Sequence, residues 1–216
     1  MKQTFIFHIE IGEKPDLGLT KSSIAGLCSC KSNWSSAMSQ RNMSDIFAHL
    51  PKDYQKIGLL GALEQMFASG EWGWIEEAIP GLLAVDEDSS FMARIVSLGV
   101  RVALRMKNYA LAFERQRLFW ELELNPEIAM IQAETLMQLA IQLLPAMADN
   151  LCALWVKSLS SDMPLSAQEI AAKTGVMLAE AFIKSRNRET ALYIKDTMTE
   201  NLAENIWRKA SYKMGE

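Results

Sequence analysis

The sequence predicts a mainly α-helical protein of seven to nine helices, most of them stacked as consecutive antiparallel pairs. A short phrase occurs three times, beginning at Gly70, Lys107 and Arg186, and its third residue is aromatic in the first two copies. Each copy follows one amphipathic stretch and opens another, which is the pattern of a turn between two helices. The copies are 37 residues apart (70 to 107) and then 79 apart (107 to 186), so the longer gap holds one further unit. A period in this range indicates stacked helix pairs.

The first helices are expected within residues 53–85, after the character of the chain changes near Asp53. Ile57, Leu60, Leu63 and Phe67 follow helical spacing, and a second amphipathic stretch after the turn at Gly70 contains a proline at position 80. The polar residues 86–90 then break the pattern and offer an aspartate at position 88 or a serine at position 89 as a helix cap. The second pair is expected over residues 91–105 and 109–124, and it ends at Asn125-Pro126.

The third pair is expected over residues 127–143 and 146–159, with Pro145 in its turn. Ser166-x-x-Glu169 has the spacing of a capping box and predicts the start of a helix that continues to about residue 185. The last helix is expected from about Arg188 to Lys213, with a break near Asn201. Residues 51–216 therefore form the predicted helical repeat domain.

Residues 1–50 differ from the rest and are predicted to be an N-terminal arm or linker. Imperfect alternation over residues 4–11 predicts one strand, which needs a partner strand from elsewhere in the chain, from a bound protein or from a second copy in a homodimer. Residues 12–43 are rich in serine, glycine and lysine and show little periodicity, so proteolysis is expected to cut this arm first.

Composition is that of an ordinary globular chain. The 216 residues are 50% hydrophobic and 22% charged, and the net charge of −4 argues against general nucleic-acid binding, which normally requires a basic excess. Cys28, Cys30 and Cys152 form no disulfide framework, so a reduced, cytoplasmic setting is expected. No apolar run approaches the ~20 residues of a membrane span, and the first residues lack the apolar region of a signal peptide.

The repeated phrase resembles the inter-helix turn of tetratricopeptide repeats. The best copy is Lys107-Asn108-Tyr109-x-x-Ala112, and the other copies depart from the family by having Ile75 in place of alanine and Arg188 in place of the aromatic residue. The spacing also exceeds the family's period of about 34 residues. The resemblance covers about residues 53–205 and implies a short right-handed solenoid of about four antiparallel helix pairs, whose first helices line a concave groove.

The family's geometry also implies which residues line that groove. They are Arg94, Ser97 and Arg101 in the second unit, Gln132, Thr135 and Gln142 in the third, and Lys173 in the last. Such a cationic, amide-bearing groove could hold a carboxylate or an acidic peptide through charge-assisted hydrogen bonds. Two alternatives stay open. The arginines, with a third at position 105, could be a solvated face paired with a glutamate at position 64 or 87, and the 13 methionines could line a groove for varied apolar partners.

No catalytic motif is found, and neither a cofactor nor a metal is predicted. His8 and His49 have no nucleophile or carboxylate at motif spacing, and Cys28-x-Cys30 lacks the second pair that a zinc site requires. The sequence therefore favours a non-enzymatic protein–protein interaction module, an adaptor or chaperone that binds a partner peptide or protein. In size and architecture it is similar to the repeat-type chaperones of bacterial secretion and pilus systems. The alternative is the sensing domain of a bacterial transcription regulator, similar to the repeat domains attached to some activators.

Overall fold

A computed structural model of the protein describes residues 54–85, 88–160 and 162–214, and these ranges contain nine α-helices and no strand. The helices are α1 (Tyr54–Ala68), α2 (Trp72–Val85), α3 (Ser89–Arg105), α4 (Tyr109–Leu118), α5 (Pro126–Leu143), α6 (Ala148–Ser158), α7 (Leu165–Lys184), α8 (Arg188–Asn201) and α9 (Glu204–Met214), and a 3-10 turn (Phe119–Glu121) extends α4. The all-α prediction is confirmed for these residues. None of the described helices combines the length and the hydropathy needed to cross a bilayer. The expected arm over residues 1–50, with its strand, lies outside the described part of the chain.

The repeated phrase forms the same turn three times. Its first residue has a positive φ in every copy, +81° at Gly70, 58° at Lys107 and 63° at Arg186. The backbone N–H of that residue donates to the carbonyl three residues back, and the next N–H donates to the carbonyl five residues back. These two bonds define a Schellman motif, which satisfies the last carbonyls of α1, α3 and α7 and reverses the chain.

Side-chain caps begin four of the helices, because each oxygen accepts a backbone N–H that has no partner within its helix. Asp88 caps α3 as predicted, and Asn108, Asn125 and Asn187 cap α4, α5 and α8. The predicted capping box before α7 is wrong. That helix begins one residue before Ser166, after Pro164, which makes no side-chain cap. The predicted break near residue 201 is confirmed, since it separates α8 from α9.

The helices α1, α3, α5 and α7, here called the first helices, are neighbours in that order, and α9 packs against α7. The helices α2, α4, α6 and α8, here called the second helices, pack against the helices before and after them in the sequence, which are first helices except for α9 after α8. Ion pairs join Lys56 to Asp88 at the N-terminal ends of α1 and α3, and Glu64 to Arg101 towards their C-terminal ends. α1 and α3 therefore run parallel. Arg94, in the N-terminal half of α3, pairs with Glu127 in the first turn of α5, and Ala129 of α5 clusters with Ala167 of α7, so α5 and α7 run in the same direction. The short turns make the second helices antiparallel to the first helices.

The core continues between these helices with small residues at the close contacts. Ala112 of α4 is fully buried, whereas Tyr109, three residues earlier, is only half-buried against the same cluster. Arg115 of α4 is buried and binds Glu76 of α2 through two contacts, of 2.5 and 2.7 Å. The same guanidinium donates to the Gly99 carbonyl of α3 at 2.9 Å, so one side chain connects three helices.

Candidate functional site

The exposed face of α3 forms a polar surface between α1 and α5. After its first turn, the residues of α3 that are not buried are Arg94, Ser97, Arg101 and Arg105, because the others face the four helices packed around it. Ser97 and Arg101 are half-buried, so this face is recessed below the flanking helices. We call the surface formed by Arg94, Ser97 and Arg101 the trough. These are the three residues that the resemblance to tetratricopeptide repeats implied for the groove of the second unit.

Arg101 is the most enclosed cation of the trough. Its guanidinium forms an ion pair with Glu64 on α1 and lies over the ring of Phe67, 4.8 Å from the ring centroid. The Arg101 side chain is 24% exposed, compared with 51% for Glu64. Its Nε is buried and has no hydrogen-bond partner within the described ranges. That buried Nε is closed to a ligand, but the guanidinium is held in place by a ring and a carboxylate and the side chain is partly exposed, so its terminal N–H groups can bind a further acceptor.

Arg94 lies at the other end of the trough. Its Nη2 is 2.6 Å from Oε1 of Glu127, in the first turn of α5. The hydrogen bond from Arg94 holds the pKa of the Glu127 carboxyl below its ordinary value, and the side chain of Ser90 contributes to the same shift. Both cations of the trough are thus paired with carboxylates on its walls. The alternative of a paired arginine face anticipated the partner at position 64 but not the one at position 127.

The groove residues expected on α5 and α7 do not lie together on one open surface. Gln132 and Thr135 are buried in contacts with other helices, so their side chains do not line an open surface. The hydroxyl of Thr135 lies 2.8 Å from the Ser97 hydroxyl and connects α5 to the floor of the trough. Gln142, on α5, and Lys173, on α7, are both exposed, but on different first helices from the trough.

The exposed positions of α5 and α7 carry residues that the sequence analysis did not single out. On α5 they include Glu134 and Gln138, and on α7 they include Glu169 and Glu180. Glu134 is seven residues after Glu127, so both stand on the same side of α5. This seven-residue spacing is visible in the sequence and could have identified an acidic side of α5. These carboxylates make the surface of the first helices mixed in charge outside the trough.

A second concave surface lies between α6 and α8. It is an open cleft of about 330 Å³, lined by Asp149, Cys152, Ala153, Val156, Lys157, Phe182, Thr190 and Tyr193. Burial and the nearby Asp149 carboxylate raise the pKa of the Cys152 thiol, which keeps it in the less reactive neutral form. The sequence did not predict this cleft, because its lining residues come from three helices.

Among the described residues, no three histidine, cysteine, aspartate or glutamate side chains are grouped as metal ligands would be. Comparisons of the chain with family models, curated proteins and solved structures find no match. The trough and the cleft must therefore be interpreted from their own chemistry.

Proposed function

We propose that this protein is a short right-handed solenoid of tetratricopeptide-like helix pairs and acts as a non-enzymatic interaction module, an adaptor or chaperone. It holds an acidic segment of a partner protein in the trough. The observation that carries the proposal is the half-buried Arg101, whose guanidinium is fixed by Glu64 and Phe67 while 24% of its side chain stays open to solvent. The same turn occurs three times, and the first helices lie side by side and run parallel. Both observations support the repeat architecture.

The spacing of the cations defines the partner segment. Arg94 and Arg101 are seven residues apart, so they lie about 10 Å apart along α3 and on the same side of it. An extended peptide advances about 3.3 Å per residue and alternates its side chains between two sides, so carboxylates two and four residues apart, about 7 and 13 Å, lie on one side and bracket this distance. Each partner carboxylate would share or replace a wall carboxylate, Glu64 or Glu127, which makes binding selective for segments that supply both charges.

The test begins with a tagged full-length chain, used to recover and identify a stoichiometric protein partner. The purified partner is then titrated by calorimetry against wild type and two double variants, at two salt concentrations. Arg94→Ala with Arg101→Ala should weaken binding about tenfold or more, and wild-type affinity should fall as salt is added.

The matched control is Glu64→Gln with Glu127→Gln, which removes the same two ion pairs but keeps both cations. It should leave binding unchanged or tighten it, because the arginines no longer have competing carboxylates. Equal affinity in wild type and the arginine variant would contradict the proposal. Equal weakening in both variants would also contradict it, because the ion pairs would then matter only for the fold.

A further inference from the structure

The cleft between α6 and α8 has an apolar floor and open sides. Ala153, Val156 and Phe182 provide the apolar part of the lining, and charged side chains stand at its two ends. Asp149 is in the first turn of α6 and Lys157 is in its last turn. The volume of about 330 Å³ is at the lower limit for ligand pockets, and an open cleft between two helices suits a protein side chain better than an enclosed small molecule.

The apolar group that fits such a cleft is present on its own rim. Leu192 and Tyr193 stand next to each other on α8 and are 60% and 52% exposed. Exposed apolar side chains beside an apolar recess favour contact with another molecule. In a closed twofold interface both copies use the same surface. That surface must therefore carry both the apolar recess and the exposed apolar side chains that fill it.

We propose that a second copy of this chain binds here, with α8 of each copy lying along the α6/α8 cleft of the other and its Leu192 side chain inserted. With a twofold axis parallel to these helices, the α8 helices of the two copies lie side by side at the centre of the interface. Each α8 then lies between α6 and α8 of the other copy. Leu192 of each copy then packs on the Val156 and Phe182 floor of the other. The dimer uses the second helices, whereas the trough lies on a first helix, so this inference does not rest on the proposed function.

The charges at the ends of the cleft agree with this arrangement. α6 and α8 run in the same direction, so Lys157 and Asp196 lie towards the same end, with Asp149 and Arg188 towards the other. Because the twofold axis is parallel to the helices, each end of the cleft lies next to the same end of the cleft in the second copy. The Lys157 ammonium lies 3.7 Å from the centroid of the Trp120 ring and stays exposed at the rim. In the dimer, each lysine leaves this ring to meet the Asp196 carboxylate of the second copy.

The first experiment measures the mass of the full-length chain by sedimentation velocity over a range of concentrations. Wild type should reach the mass of a dimer, and Leu192→Glu should raise the dimer dissociation constant about tenfold or more, because it places a charge in the apolar centre. Leu165→Glu is the matched control, since Leu165 is 59% exposed on α7 and lies outside the cleft. It should dimerise like wild type. A monomeric wild type, a dimer insensitive to Leu192→Glu, or equal losses in both variants would each overturn the proposal.

The second experiment reverses the paired charges. Lys157→Asp alone and Asp196→Lys alone should each be monomeric at concentrations where wild type is dimeric, because each creates two like-charged contacts in a homodimer. An equimolar mixture of the two variants should dimerise again, since both contacts then join opposite charges. If the mixture stays monomeric while both variants remain helical by circular dichroism, the assigned arrangement is wrong.

Discussion

At the scale of single residues, two glycines determine how closely the helices approach. A Cβ on Gly175 of α7 would lie 2.7 Å from Cζ2 of Trp155 and 2.9 Å from Sδ of Met198. A Cβ on Gly99 of α3 would lie 3.0 Å from Cδ of Arg115, the residue that connects three helices. The indole of Trp155 is fully buried and donates to the Ala171 carbonyl at 2.8 Å, so it cannot easily move away. Glycine is therefore needed for packing at position 175.

Gly175→Ala should lower the free energy of unfolding by roughly 1–3 kcal/mol, because the added methyl group overpacks the contact with Trp155. Urea unfolding followed by circular dichroism measures it. The control is Gly61→Ala in α1, where an added Cβ meets nothing within 4 Å. There alanine should stabilise by about 0.5–1 kcal/mol through its helix propensity. A neutral effect at position 175 would show that α7 can shift to accept the methyl group.

At the scale of elements, the repeated turn is the local unit from which this fold is built. The first copy has glycine at the positive φ, whereas the second and third have Lys107 and Arg186 there. A left-handed conformation is unfavourable for residues with a Cβ, so these two turns hold strain that Gly70 avoids. The last turns of α3 and α7 also carry Arg105 and Lys184, which interact favourably with the C-terminal helix dipole.

Lys107→Gly and Arg186→Gly should each stabilise the protein by about 1 kcal/mol, because glycine adopts the left-handed conformation without strain. Gly70→Ala should destabilise it by a similar amount. Thermal unfolding of the three variants beside wild type measures these effects. If the two glycine substitutions lowered the melting temperature, the side chains at positions 107 and 186 would have to contribute more than the strain they cause.

At the scale of the whole molecule, parallel packing of the first helices places their N-terminal ends along one edge. Asp88 caps α3 there, and Glu127 occupies the first turn of α5. Burial raises the pKa of Asp88, but the backbone N–H of Phe91 and the ammonium of Lys56 outweigh this effect and leave the pKa below its ordinary value. The pKa of Glu127 is also lowered. Carboxylates at N-terminal ends are stabilising because of the helix dipole.

The carboxylates of Asp88 and Glu127 at this edge should make the folded protein lose stability in acid. Since both pKa values are lower in the folded state, the stabilisation is complete above the ordinary carboxyl pKa of about 4, and it is lost as pH falls through the folded values. Urea midpoints measured between pH 7 and pH 3 should fall less steeply for Asp88→Asn with Glu127→Gln than for wild type. Because both groups are well exposed, added salt should reduce the difference. Parallel pH profiles for the two proteins would contradict this assignment.

The sequence by itself determined the helical class, the three equivalent turns and a cap at residue 88 or 89, because these depend on backbone and side chains within a few residues. The positions Arg94, Ser97 and Arg101 on α3 came from the resemblance to tetratricopeptide repeats, and the packing of four helices around α3 is what leaves them unburied. Only the tertiary structure decided that Gln132 and Thr135 are buried, that Arg94 pairs with Glu127, and that α6 and α8 enclose a cleft. Successive helix positions differ by about 100°, so an error of two positions moves a side chain to the opposite face. Which face is buried depends on neighbours that are distant in the sequence, and local pattern does not contain that information.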